Sequence, residues 1–127
     1  MRALLDTSFF VATESGRPLG EMEGVTETEV SVVTLAELTL GVLTADDEDR
    51  PARVATLSAV ESRWDPLPVD AEVARQFAGI VAALRAARRR VPILDALVAA
   101  TAIVEQIPVV TQDNDYEAIR GVKVIRV

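Results

Sequence analysis

The stretch PILDALVAATAIVEQIPVVTQDNDY, residues 92–116, decides the fold. It predicts a buried helix with one carboxylate at its start, then a short strand, then a turn carrying two more. From Leu94 to Val104 nearly every side chain is apolar or small, so this helix is expected to have no wet face. Asp95 is the only charge in that run. An ionised carboxylate beside a hydrophobic core is costly unless it caps a helix, pairs with a cation or holds a metal.

Working outward, the segments alternate between strand and helix. Arg2–Leu5 is a short apolar run that predicts a buried strand, and Asp6-Thr7-Ser8 before FFVA predicts the turn into a helix. Residues 16–24, with Pro18 and Gly20, are expected as loop. Residues 29–33 (EVSVV) are β-branched and predict a second strand. Thr34 is expected to open a helix over 34–43, with Leu35, Leu38 and Val42 on one side and Glu37 at capping-box distance from Thr34. Pro51 suits the first turn of a helix running to about Trp64. Leu67-Pro68-Val69 can supply only a short edge strand, because proline donates no ladder hydrogen bond. Asp70 predicts the cap of a long helix over 71–90, with an apolar stripe of Val73, Phe77, Ile80, Val81 and Leu84. Past the opening stretch, residues 114–120 predict a short helix and VKVIRV at 122–127 a last strand.

Strands alternating with helices imply a three-layer α/β/α arrangement around a central, mostly parallel sheet of four to five strands, in one domain spanning 1–127. In such sheets ligands gather beyond the carboxyl ends of the strands. Asp6 directly follows the first strand, Asp113 follows the strand at 108–111, and Glu37 and Asp95 are expected in the first turns of helices. All four acids can therefore face one crevice.

Composition removes most other chemistries. The 127 residues contain no cysteine and no histidine. That excludes disulfides, thiolate or serine–histidine nucleophiles and an ordinary zinc site. No phosphate-cradling glycine loop is present. Carboxylates alone, with water, suit hard cations such as Mg²⁺ or Mn²⁺. The net charge of -7 fits an acidic site and argues against a general nucleic-acid coat protein. No apolar run approaches the roughly 18 residues that span a bilayer. Asp6 interrupts the apolar start before a signal-peptide core forms, so a cytoplasmic protein without membrane attachment is the expectation.

Each acid also has a plain structural role open to it. Asp6, Asp95 and Asp113 stand near helix starts, where aspartate is a favoured cap worth about 1 kcal/mol, and Glu37 can close the capping box with Thr34. Together these explanations weaken. Carboxylates sharing one crevice repel at roughly 4 kcal/mol per close pair for an effective dielectric near 20, and a divalent cation offsets that repulsion.

The order DTSFFVA at 6–12, AELTLGV at 36–42, DALVAATA at 95–102 and VTQDNDY at 110–116 resembles the PIN-domain fold. More closely, the chain resembles the VapC-type ribonuclease toxins of type II (VapBC) toxin–antitoxin systems, over its whole length. The resemblance implies an Mg²⁺- or Mn²⁺-dependent ribonuclease that hydrolyses RNA phosphodiester bonds, with tRNA, rRNA or mRNA as substrate. It implies Asp6, Glu37, Asp95 and Asp113 as the acidic quartet, with Asp6, Asp95, Asp113 and Asp115 as metal ligands. Asp115 shares or replaces the role of Asp113. Ser8 and Thr111 match hydroxyl positions beside the acids. Tyr116 stands where phenylalanine is commoner, a departure expected to leave the chemistry undisturbed. A VapB-type antitoxin partner and a homodimer are further implications, and the apolar helices at 34–43 and 51–64 are candidates for the antitoxin groove.

Arg88, Arg89 and Arg90 lie just before the Asp95 segment, where they either complement a helix C-terminus or contact RNA phosphate. Two rival functions stay open: a PIN-type nuclease in DNA or RNA processing without an antitoxin, and a non-catalytic metal-binding module. A phosphoaspartate receiver is excluded, since Leu4 and Leu5 stand where an acidic pair is needed and Lys123, the only lysine, lies within the last strand.

Overall fold

The computed structural model describes all 127 residues. Four strands form one sheet: β1 (Arg2–Leu5), β2 (Glu27–Glu29), β3 (Val109–Thr111) and β4 (Val124–Arg126). Their order is β2-β1-β3-β4 and every pair is parallel, with Ala3 opposite Thr28, Leu5 opposite Val110, and Val110 opposite Ile125. Around them lie α1 (Thr7–Ser15), α2 (Val32–Thr44), α3 (Arg50–Arg63), α4 (Ala71–Ala86) and α5 (Ile93–Glu105), with a short 3₁₀ turn at Asp115–Ala118.

Strand alternation sorts the core into two layers. Leu4 and Val109 point to one side, into a cluster with Val73, Ile80 and Leu84 of α4 and with Ala96, Val98 and Ala99 of α5. Ala3, Leu5 and Val110 point to the other side, onto Phe10 of α1, Leu38 of α2 and Val60 of α3. The sheet is therefore covered on both faces, as an all-parallel sheet requires.

Several boundaries differ from the sequence expectation, each for a local reason. The second strand ends at Glu29 rather than Val33, because the Ser31 hydroxyl accepts the Val33 N–H at 3.0 Å and starts α2 there. Thr34 therefore lies inside the helix and caps nothing. Leu67 makes one bridge to Ser31 and no strand. The long helix stops at Ala86, where Arg88 turns into the left-handed region (φ 54°) and the Arg89 N–H returns to the Leu84 carbonyl. Arg88–Arg90 thus form a connector instead of a last helical turn. The segment after β3 winds as 3₁₀ only over 115–118.

In α5, residues Asp95, Ala96 and Val98–Ala102 are buried, but Leu94 is 40% exposed, so the first turn does have a wet side.

Candidate metal and active site

Three elements meet at the same rim of the sheet. β1 delivers Asp6 at its carboxyl end, β3 leads into Asp113 and Asp115, and α5 carries Asp95 in its first turn. Glu37 comes from the second turn of α2, since the true cap is Ser31. With the capping box gone, its carboxylate is free to serve elsewhere. A cleft of about 250 Å³ is lined by Asp6, Thr7, Ser8, Val11, Arg17, Glu37, Asp95 and Asp113. The four acids separated by up to 107 positions in the chain share one wall. Carboxylate oxygens of Asp95, Asp113 and Asp115 also lie within 4.8 Å of one another.

The acids are held in different ways. Asp6 is 2% exposed and caps α1 through the Ser8 N–H at 3.4 Å. Its Oδ2 accepts the Ser8 hydroxyl at 2.8 Å and the Thr111 hydroxyl at 3.0 Å, and its Oδ1 accepts the Tyr116 hydroxyl at 2.9 Å. Ser8 and Thr111 in turn accept the N–H groups of Gln112 at 3.0 Å and Asp113 at 2.9 Å. Both hydroxyl residues expected beside the acids are there. Glu37 Oε1 accepts the Thr7 hydroxyl at 2.8 Å. Asp95 and Asp113 make no capping bond, so the structural explanation open to them from sequence is not realised.

None of the five acids forms an ion pair. Burial pushes the Asp95 carboxyl up to about 7, and the nearby charge of Asp6 adds to it. Burial also raises Glu37, opposed by the Thr7 hydrogen bond and reinforced by the charges of Asp6 and Asp113. Asp113 is raised by its own burial and then by Asp6 and Asp115, with Arg126 acting in the other direction. Negative charge is thus crowded at one point with no protein cation within ion-pairing distance. An oxygen-only donor set of this kind fits a hard divalent cation such as Mg²⁺ or Mn²⁺. Asp95, Asp113 and Asp115 offer the closest set of ligand atoms, with Asp6 beside them.

The arginine run lies apart from the acids. Arg88, Arg89 and Arg90 line a separate hollow of about 580 Å³ with Arg85, Val91 and Ile93, and none of them lines the acid cleft. The arginine that does is Arg17, exposed in the loop after α1. It is set there because Gly16 adopts φ 72° and the Arg17 N–H closes onto the Ala12 carbonyl. The sequence signal for this residue was only a glycine ending a helix. Thr7 was equally silent, since its partner lies 30 positions away.

A family model described as the PIN domain matches residues 3–122. The chain is 44% identical over 126 residues to ribonuclease VapC4 of Mycobacterium tuberculosis, covering 99% of this chain and 97% of that one. It is 46% identical over 128 residues to ribonuclease VapC5 of the same organism, covering 98% and 94%. Among solved structures, a chain from the VapBC-5 toxin–antitoxin system of M. tuberculosis superposes with a TM-score of 0.89 at 41% identity, covering 99% of this chain and 98% of that one. An acidic cleft at the rim of a parallel sheet, a matching family model and near-full-length identity agree, and the chain belongs to the PIN-domain family, in its VapC-type branch.

Proposed function

We propose that this protein is a divalent-metal-dependent ribonuclease, the toxin of a type II toxin–antitoxin pair, hydrolysing RNA phosphodiester bonds in the cytoplasm. The observation that carries the reading is the meeting of Asp6, Glu37, Asp95 and Asp113 in one cleft with no cation of the protein paired to them. The names of its relatives support ribonuclease as the activity.

Asp95, Asp113 and Asp115 would hold the ion, with Asp6 contributing through Oδ1, the oxygen less occupied by hydrogen bonds. When bound, Mg²⁺ or Mn²⁺ polarises the scissile phosphate and lowers the pKa of water. On this reading Glu37 takes the water's proton. Its Oε1 is tied to Thr7, which leaves Oε2 to receive the proton, and its raised pKa favours holding it. The water oxygen would bond to phosphorus as the P–O bond to the leaving ribose oxygen breaks, that oxygen taking its proton from solvent, to which Glu37 returns the one it accepted. Arg17 supplies positive charge at the cleft mouth for a phosphate, and Arg88, Arg89 and Arg90 serve RNA farther from the reacting bond.

The partner expected of this reading is a VapB-type antitoxin. Leu40 and Leu43 on α2, the helix that carries Glu37, and Val54 on α3 are 57%, 75% and 43% exposed, uncovered apolar side chains that suit an amphipathic peptide segment. The neighbour solved from the VapBC-5 toxin–antitoxin system supports the same partner class, and a homodimer is the assembly the resemblance implies.

The direct test is cleavage of total RNA with Mg²⁺ or Mn²⁺ and with chelator, beside the Asp6→Ala protein. Metal-dependent cleavage lost in the variant is the expected result. Full activity in Asp6→Ala would remove the mechanism. Growth arrest on induced expression, relieved by the neighbouring gene product, separates a toxin from a nuclease of RNA or DNA processing.

A further inference from the structure

The hydrogen bonds around Asp6 do more than satisfy a buried carboxylate. Three of them come from Ser8 after β1, from Thr111 at the end of β3 and from Tyr116 in the segment after it, and they lace the two strand ends together. Thr111 donates to Asp6 Oδ2 while accepting the Asp113 N–H. Ser8 donates to the same oxygen while accepting the Gln112 N–H. Tyr116, fully buried, reaches back from the far side of the turn to Oδ1. The turn bearing Asp113 and Asp115 is thus pinned at both ends to one carboxylate, by Thr111 at its start and by Tyr116 at its close. Tyr116 follows Asp115 directly, so its ring and hydroxyl set where that acid stands.

We propose that Tyr116 is a positioning residue, acting through its hydroxyl on Asp6 to hold Asp113 and Asp115 within coordinating reach of Asp95. The sequence expectation that tyrosine in place of phenylalanine leaves the chemistry undisturbed is reversed on this reading, because a ring without the hydroxyl would fill the same apolar space against α5 and leave this end of the turn unfastened. A carboxylate has about four lone-pair sites. The serine and threonine hydroxyls take those on Oδ2, and Tyr116 takes one on Oδ1, leaving one in-plane site on Oδ1. The hydroxyl therefore also selects which lone pair of Asp6 stays open to the cleft. The residue is shut off from solvent and cannot touch RNA, so any effect on turnover must pass through the acids.

This inference rests on the nuclease reading, and the experiment separates the two. Tyr116→Phe changes one atom, and circular dichroism with a melting curve establishes that it folds. Mn²⁺ affinity is measured calorimetrically on the RNA-free protein, and kcat and KM are measured with RNA at saturating Mn²⁺. The expected result is Mn²⁺ affinity or kcat reduced about 10-fold or more, the range of outer residues that orient metal ligands, with KM for RNA unchanged. A melting temperature that falls while Mn²⁺ affinity and kcat stay within about twofold of wild type, well short of that range, would show a packing role only and overturn the inference. Asp6→Asn is the control. If it cleaves RNA like wild type, the nuclease mechanism fails. If it is inactive while Tyr116→Phe is unchanged, only the role of Tyr116 fails.

Discussion

The end of β1 and the start of α5 bring aspartates to the same cleft, and the two are held in opposite ways. Asp6 sits among three hydroxyls and a backbone N–H, all donating to it. No hydroxyl or backbone N–H donates to Asp95, which stands beside Asp115 on a helix packed into the core and has its pKa raised to about 7. The difference separates two demands on a carboxylate. One with its lone pairs largely taken organises its surroundings, and one left bare beside other acids is available to a ligand. The cleft needs both, because free acids repel each other unless something rigid brings them together.

Substitution at the two positions is the strongest way to break this contrast. Asp6→Ala and Asp95→Asn are both expected to lower metal-dependent RNA cleavage by on the order of 100-fold or more. Their stabilities should diverge. Asp6→Ala orphans the buried hydroxyls of Tyr116 and Thr111 at roughly 1–3 kcal/mol each, so melting should drop by roughly 10 °C. Asp95→Asn removes a repelled charge with no donor, and the metal-free protein should melt at the same temperature or slightly higher. Equal melting curves for the two variants would erase the distinction.

The pH dependence of the metal-free protein sharpens the same point with a smaller effect. Asp95 titrates near 7 when folded, against the ordinary value of 3.8, and Glu37 and Asp113 move in the same direction. The folded state then holds protons that the unfolded chain releases. The stability these groups contribute is complete below about pH 4 and is lost as pH rises through about 7. Metal-free protein should melt several degrees lower at pH 8 than at pH 5.5. Saturating Mn²⁺ should flatten that slope, because the cation takes the place of the protons. A slope unaffected by Mn²⁺, followed by differential scanning calorimetry, would mean the cluster holds no ion.

The smallest expected effects belong to the arginines. Arg17→Gln should weaken RNA binding and reduce the salt slope of log K by about 0.7, the value for one lost single-strand phosphate contact. Neutralising Arg88, Arg89 and Arg90 together should reduce the slope without changing kcat, because their hollow is separate from the acid cleft. Binding isotherms at several salt concentrations read both. An unchanged slope in the triple variant would assign those residues to the connector alone.

Much of the fold was legible because its signals are local. The β-strand at 2–5, the Asp70 cap, the proline opening α3 and the apolar run of α5 each depend on neighbours in the chain. The misread start of α2 turned on two competing local signals. Thr34 with Glu37 has capping-box spacing, but Ser31 lies next to the end of β2 and takes the role first. The arginine run carried a helical pattern to residue 90, and a left-handed Arg88 ended it near 86.

The sequence by itself determined an α/β chain with a parallel sheet, the absence of thiol and imidazole chemistry, and the identity of the acids that could meet. Those follow from composition and from spacing within single elements. Only the tertiary structure decided that Asp6 serves as an anchor, that Asp95 stays without a donor, that Thr7 and Tyr116 belong to the site and that Arg17 stands at its mouth. Each depends on a hydrogen bond or a shared cavity wall between residues tens of positions apart. Such pairings leave no periodicity in the chain, because their geometry exists only once parallel strands have been set side by side.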